Sequence, residues 1–513
     1  MTQAADIVFT NAAVHPLTDP ESDGEPAAEA VAVRDGEIVR VDSDYEIDFL
    51  TDAETEVVDL DGRHLLPGFI DAHTHMESVG SRLVHANLAE AESRDEALSM
   101  LATDDDGDGE WTLGVGYDES NWDDSRLLRA DDLDAVSESE PVAAVRVDGH
   151  TAAVNTVALD RLADEFPGGD VLTEDAGPTG VIVEDAVGVV REATAPGVDG
   201  TRDLIRAARD RAHELGVTGV HDMVRHSHAP RVYRELDGSG ELNLRVRINY
   251  WRHHFDAVVE TGLRTNHGSE FVEVGGIKSF TDGAIGGRTA KVTEPYDDGD
   301  GRGQWVVDPD PFREIVADAD DEGYQITVHA IGDEAIEVTL SAFEETATPG
   351  ESRHRIEHVE LATDEHVERL AESGVIASMQ PNFHQWADEG GLYENRLGEE
   401  RTRWTNRLRT MQDAGVHLAF GSDCMPMDPL YGIDWAVNAP APEQRLTVTE
   451  ALRAYTIGAA YAGFDEDRLG TVEVGKKADF VVLDDSPWER SDAIDDIDVA
   501  LTVVDGEVVY DER

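Results

Sequence analysis

Short apolar runs that end in polar residues recur along this chain, separated by stretches of helical periodicity. The runs are Leu65–His75, Gly216–Asp222, Leu244–Tyr250, Gly275–Asp282, Tyr324–His329, Arg353–His358, Val375–Pro381 and Val416–Asp423, and each is predicted to be a buried strand. Arg202–Leu215, Ile336–Thr346 and Asp364–Ser373 are among the helices predicted between them. Eight strands alternating with helices predict an α/β protein built on a (β/α)8 barrel, whose working residues sit at the C-terminal ends of the strands. In this chain those ends carry His73, His75, Lys278, His329, His358 and Asp423.

The two ends of the chain share a different pattern. Ala30–Val41 and Leu501–Tyr510 each read as two short strands around an Asp-Gly turn. Matching hairpins at distant termini predict one small β domain assembled from residues 1–64 and 469–513, flanking a barrel over 65–468. The alternation breaks once, where about 77–200 follows the first strand as an insertion far longer than a connecting loop. Such an insertion on the catalytic face is expected to cover the site and shape a substrate pocket. It contains Gly116-Tyr117-Asp118-Glu119, Trp122 and Val147-Asp148-Gly149-His150. His150 can hydrogen-bond a substrate or pin its loop. Tyr117 and Trp122 read as packing residues or as substrate contacts.

Charge adds a setting. The 513 residues include 110 acidic and 41 basic ones, for a formal charge of −69. Acid is spread along the chain, at Asp104–Asp106 and again at Asp318, Asp320, Asp321 and Glu322, while 40% of residues are hydrophobic. A folded, halophilic protein of a high-salt cytoplasm, where ions screen self-repulsion, explains both facts. Nucleic acid and anionic membranes are disfavoured partners, leaving a small-molecule substrate. Cys424 is the only cysteine, so no internal disulfide forms. No basic stretch leads into an apolar core at the N-terminus, and no apolar run approaches membrane-spanning length, which predicts a cytoplasmic protein. The oligomeric state stays open, a homodimer included.

Only four of the 41 basic residues are lysines, and one of them, Lys278, lies in the apolar run Gly275–Phe280. A buried amine can lose its proton, which a guanidinium cannot. A neutral amine can take up carbon dioxide to become a carbamate, an oxygen ligand able to bridge two metal ions. Snorkelling or salt bridging is the plainer alternative for a lone strand lysine. His73 and His75 are two apart on a strand and so share a face, placed to hold one metal ion. Nitrogen and oxygen donors together suit zinc, with manganese, iron, cobalt and nickel as neighbours. Metal lowers the pKa of water and polarises a carbonyl. Asp423 can bind metal and also carry the proton from attacking water to a leaving nitrogen.

Pro67-Gly68-Phe69-Ile70-Asp71-Ala72-His73-Thr74-His75 resembles the first-strand motif of the amidohydrolase superfamily, and Gly475–Asp484 is similar to its C-terminal β-domain signature. The Gly116–Glu119 and Val147–His150 segments, with Asp282-Gly283 followed by Arg288-Thr289-Ala290, resemble the YtcJ-like branch, which includes N-substituted formamide deformylase. The resemblance implies a distorted TIM barrel with a composite β-sandwich, and one or two divalent metals. His73, His75 and Asp423 would hold one metal and His329 and His358 the other, with carboxylated Lys278 as the bridge. Cys424 departs from the small residue usual after the aspartate. The expected function is metal-dependent hydrolysis of a non-peptide carbon–nitrogen bond, amide or formamide-like. Two other readings stay open: a mononuclear deaminase of a ring amine with Lys278 unmodified, and an inactive barrel that only binds.

Overall fold

The computed structural model describes residues 4–103, 111–119, 122–147, 151–174 and 177–513. The chain forms two compact units, one from Met1–His75 with Arg209–Arg513 and the other from Met76–Ala208.

The larger unit holds eight parallel strands in chain order: β1 (Phe69–Thr74), β2 (Val217–Val224), β3 (Arg245–Trp251), β4 (Val272–Phe280), β5 (Ile326–Ala330), β6 (Arg355–His358), β7 (Ile376–Met379) and β8 (Leu418–Phe420). Each pairs with its sequence neighbour, and helices such as Pro309–Asp321, Asp333–Glu344 and Asp364–Ser373 run between them. All residues of β1 and β2 are buried, as expected of parallel strands covered on both faces. Between β8 and β1 no ladder forms. The gap is closed instead by single bonds: Asp423 N donates to His73 O at 2.7 Å, and Ser422 N donates to the Asp71 carboxylate at 2.9 Å. The barrel is therefore distorted at the seam that carries two of the predicted site residues. Gly421 is required there, since a Cβ on it would lie 2.3 Å from the His73 nitrogen.

The segment predicted as one strand, Leu65–His75, is two. His64–Pro67 pairs with Phe480–Leu483 in a five-stranded sheet, and β1 begins one residue later. Gly68 makes the transition, its N–H donating to Asp479 O at 2.9 Å. The five-stranded sheet also contains Ala13–Val14, Val499–Val504 and Glu507–Asp511. A four-stranded sheet of Glu37–Asp42, Ala30–Arg34, Ile7–Thr10 and Glu56–Asp59 shares one apolar core with it. Phe9 and Phe480 meet in that core edge to face at 5.6 Å. Both Asp-Gly turns have positive φ at both residues, Asp35-Gly36 and Asp505-Gly506, the geometry two-residue hairpins favour.

The smaller unit has its own six-stranded sheet, running Val171–Glu174, Gly177–Val183, Thr151–Val154, Val142–Arg146, Thr112–Tyr117 and Ala86–Asn87. Separate apolar clusters form around Leu88, Leu101 and Leu133 and around Ile182, Val187 and Val190. Tyr117 and Trp122 belong to the first cluster, with ring centroids 5.8 Å apart, and the Trp122 indole donates to Ala91 O at 3.0 Å. Of the two readings, packing and substrate contact, their burial in this cluster favours packing.

Candidate metal centre

Four histidines and an aspartate gather at the C-terminal ends of β1, β5, β6 and β8. His73 lies near the end of β1 and His75 just beyond it. Asp423 follows β8 after a Gly-Ser pair, and its Oδ1 lies 3.6 Å from His73 Nε2 and 3.3 Å from His75 Nε2. Ligand atoms of these three lie within 4.8 Å of one another. His358 sits beside His73 with ring centroids 4.9 Å apart, and His329 beside His358 at 4.5 Å. Two of the residues occupy left-handed backbone, His358 at φ 74° and Asp423 at φ 50°. Such strain is held only where surrounding structure over-determines it, and it clusters at functional sites.

The second ring nitrogens decide what the cluster can do. His73 Nδ1 lies 2.5 Å from Glu357 Oε2, and His75 Nδ1 lies 3.0 Å from Met223 O. A carboxylate and a carbonyl only accept, so both Nδ1 atoms carry the proton and both Nε2 atoms present lone pairs. His358 Nδ1 lies 2.6 Å from Gln380 Oε1, which leaves its Nε2 free in the same way. His329 differs: its Nε2 donates to Gly283 O at 3.0 Å and its Nδ1 holds the lone pair. In their neutral forms these four imidazoles, with their outer N–H groups pinned by protein oxygens, match the donor set of a divalent-metal site; burial would lower His75, but its contact with Asp423 raises it. Burial, with Lys278 adding to it, lowers His73 to about 4 and His329 to about 3, which keeps both rings neutral. Burial would raise Asp423, but His73 and His75 overcome it and hold the carboxyl well below its usual range.

Lys278 lies in β4 with no exposed surface, and its amine has no hydrogen-bond partner among the described residues. Burial lowers its pKa to about 8, with Glu357 and Asp423 opposing and Arg355 adding to the shift. The other lysines are all engaged: Lys291 with Glu334, Lys476 with Glu473, and Lys477 with Glu270 and Asp505.

The sequence pointed to these six residues. It did not point to their supports. Glu357 is fully buried between His73 and Arg355, whose Nε donates to it at 2.6 Å. Asp71 accepts from the backbone of His73 and of Ser422, tying β1 to β8, and burial raises its pKa to about 7. A charged pair two apart in a buried strand, Arg355 and Glu357, was the available signal. Cys424 is buried, as expected of a small residue, and its N–H donates to Ser422 Oγ at 2.9 Å. His150 lies outside the described residues.

The amidohydrolase family model matches residues 56–510. The chain belongs to the amidohydrolase family. It is 30% identical to the putative amidohydrolase YtcJ of Bacillus subtilis over 94% of this chain and 96% of that one. It is 26% identical to the N-substituted formamide deformylase of Arthrobacter pascens over its whole length and 99% of that protein. Among solved structures, an uncharacterized metal-dependent hydrolase from Pyrococcus furiosus superposes with a TM-score of 0.81 at 30% identity, covering 94% of this chain and 99% of that one. For this amidohydrolase no described helix is long and apolar enough to cross a membrane.

Proposed function

We propose that this amidohydrolase hydrolyses a carbon–nitrogen bond of the amide or formamide type in a small molecule, using one or two divalent metal ions, zinc by preference. The observation that carries this reading is the convergence of His73, His75 and Asp423, with the imidazole protons turned away from the shared point. The likeness to an N-substituted formamide deformylase along the whole chain supports the bond type. His73, His75 and Asp423 would hold one ion. His329 and His358 would hold the other, with Lys278 between them. A buried amine with a pKa near 8 and no partner is the form that adds carbon dioxide, giving a carbamate and a proton. A divalent metal in this site supplies Lewis acidity, which lowers the pKa of water and polarises a carbonyl. Asp423 takes the proton from the attacking water. It returns that proton to the nitrogen as the carbon–nitrogen bond breaks, so the products are a carboxylate and an amine. Glu357 holds His73 in the required tautomer, and Gln380 does the same for His358.

Incubation with N-benzylformamide and with simple ring amines separates the readings. Formate with benzylamine is expected. Ammonia from a ring amine, with no formate, would give the deaminase reading its place.

The charge of −69 supports a high-salt working environment. The melting temperature is expected to rise steeply between about 0.1 M and multimolar potassium chloride, because screening relieves self-repulsion. An unchanged melting temperature would remove halophily from the reading.

A further inference from the structure

The aromatic and basic side chains on the β2–β5 side of the barrel rim form a continuous track that starts at the proposed ligand His329 and runs outward through residues the proposed hydrolysis does not use. His329 stacks on Phe280, the last residue of β4, with ring centroids 4.5 Å apart and planes 19° apart. Phe280 in turn packs on Trp251, the last residue of β3, at 4.6 Å. The Arg225 guanidinium lies over Trp251 at 5.0 Å from its ring centre. Phe280 and Trp251 are half-buried, and Arg225 is exposed. At this end of the track His226 and His253 stack at 3.9 Å, and His254 lies 4.0 Å from His253. Partial burial lowers His253 to about 4, and the positive charge of His254, His226, Arg225 and Arg252 adds to that shift. His253 is thus neutral beside two permanent cations, and the His254 Nε2 lies 2.7 Å from Arg225 O.

In this chain that cluster is an exception. Acids outnumber bases by 110 to 41, and arginines elsewhere on the surface are commonly paired with carboxylates, as in Arg40 with Asp42 and Glu46 or Arg369 with Glu337 and Glu344. Among the described residues, the Arg225 and Arg252 side chains have neither an ion pair nor a hydrogen bond. Two arginines left without carboxylates on so acidic a chain, next to N–H donors, are suited to an anion from outside. Nor do the three histidines form a second metal site. Stacked rings do not aim their nitrogens at one point, and among the described residues only His73, His75 and Asp423 bring three ligand atoms within 4.8 Å.

We infer that the substrate carries a carboxylate at the far end of an apolar or aromatic body. The body lies along Phe280 and Trp251, and the carboxylate meets Arg225 and Arg252. This inference names the substrate class for the amide-hydrolase reading and rests on it for the scissile bond.

The test uses the intact protein and two ligands without a scissile bond, 4-propylbenzoate and 4-propylbenzamide, with binding measured by calorimetry. The carboxylate is expected to bind at least about tenfold more tightly, the worth of a modest charge-assisted contact. In Arg225→Gln/Arg252→Gln that preference is expected to fall to within about twofold. A preference below about twofold in the wild type, or one intact in the double variant, would overturn the inference. The matched substrates 4-(formamidomethyl)benzoate and 4-(formamidomethyl)benzamide then test the bond separately. Failure to release formate from either would count against the hydrolase reading, while the binding preference alone decides the anion site.

Discussion

Asp423→Asn is expected to lower kcat/KM by at least about 10³-fold, or about 4 kcal/mol of transition-state stabilisation. The carboxylate lies within 3.6 Å of two imidazole Nε2 atoms that present lone pairs. In that position it is the aspartate carboxylate beside the imidazole donors, and the nearest group able to carry a proton between water and a leaving nitrogen. Asparagine keeps the shape and loses both functions. The left-handed backbone at this residue tolerates asparagine well, so the variant is expected to fold with a melting temperature within a few degrees of the wild type. Full activity in a folded Asp423→Asn protein would remove the aspartate from the chemistry.

The second large effect falls on stability. Arg355→Met is expected to cost about 3–5 kcal/mol, the penalty for breaking a fully buried ion pair from one side. Neither Arg355 nor Glu357 has any exposed surface. The guanidinium donates to Glu357, to Ala72 O on β1 at 2.5 Å, to Ser378 Oγ on β7 at 2.7 Å and to His221 Nδ1 on β2 at 2.8 Å. One side chain thus ties β6 to three other strands. Methionine fills much of the volume and leaves the Glu357 carboxylate with His73 as its remaining strong partner. Chemical unfolding in high salt measures the loss. The double variant Arg355→Met/Glu357→Gln is expected to be more stable than the two single losses summed, because it leaves no orphaned charge. A single-variant cost under about 1 kcal/mol would show that the pair does not hold the barrel.

These two positions also mark what the sequence made legible. Asp423 was visible because it ends a strand-like run after Gly421-Ser422, and the four histidines because they end three others. The barrel was visible because its strands are short apolar runs with clear stops. The helix Asp364–Ser373 was visible because Thr363 caps its start and Gly374, at φ 70°, ends it. The joint at Gly68 was hidden, since apolar residues continue from the sandwich strand straight into β1. The roles of Arg355, Glu357 and Gln380 were hidden for another reason: apart from the Arg355–Glu357 pair itself, their partners lie on other strands, and hydrophobic period carries no record of a buried polar contact. Tyr117 and Trp122 stood beside polar motif residues, which gave no sign that the insertion folds around its own core.

Divalent metal bound per chain, measured by elemental analysis on protein purified in high salt, bears most directly on the proposed centre. The wild type is expected to hold about two ions, and Lys278→Ala one or none, since the bridging ligand is gone. An active wild type free of divalent metal, or equal metal in both proteins, would contradict a metal centre bridged by Lys278.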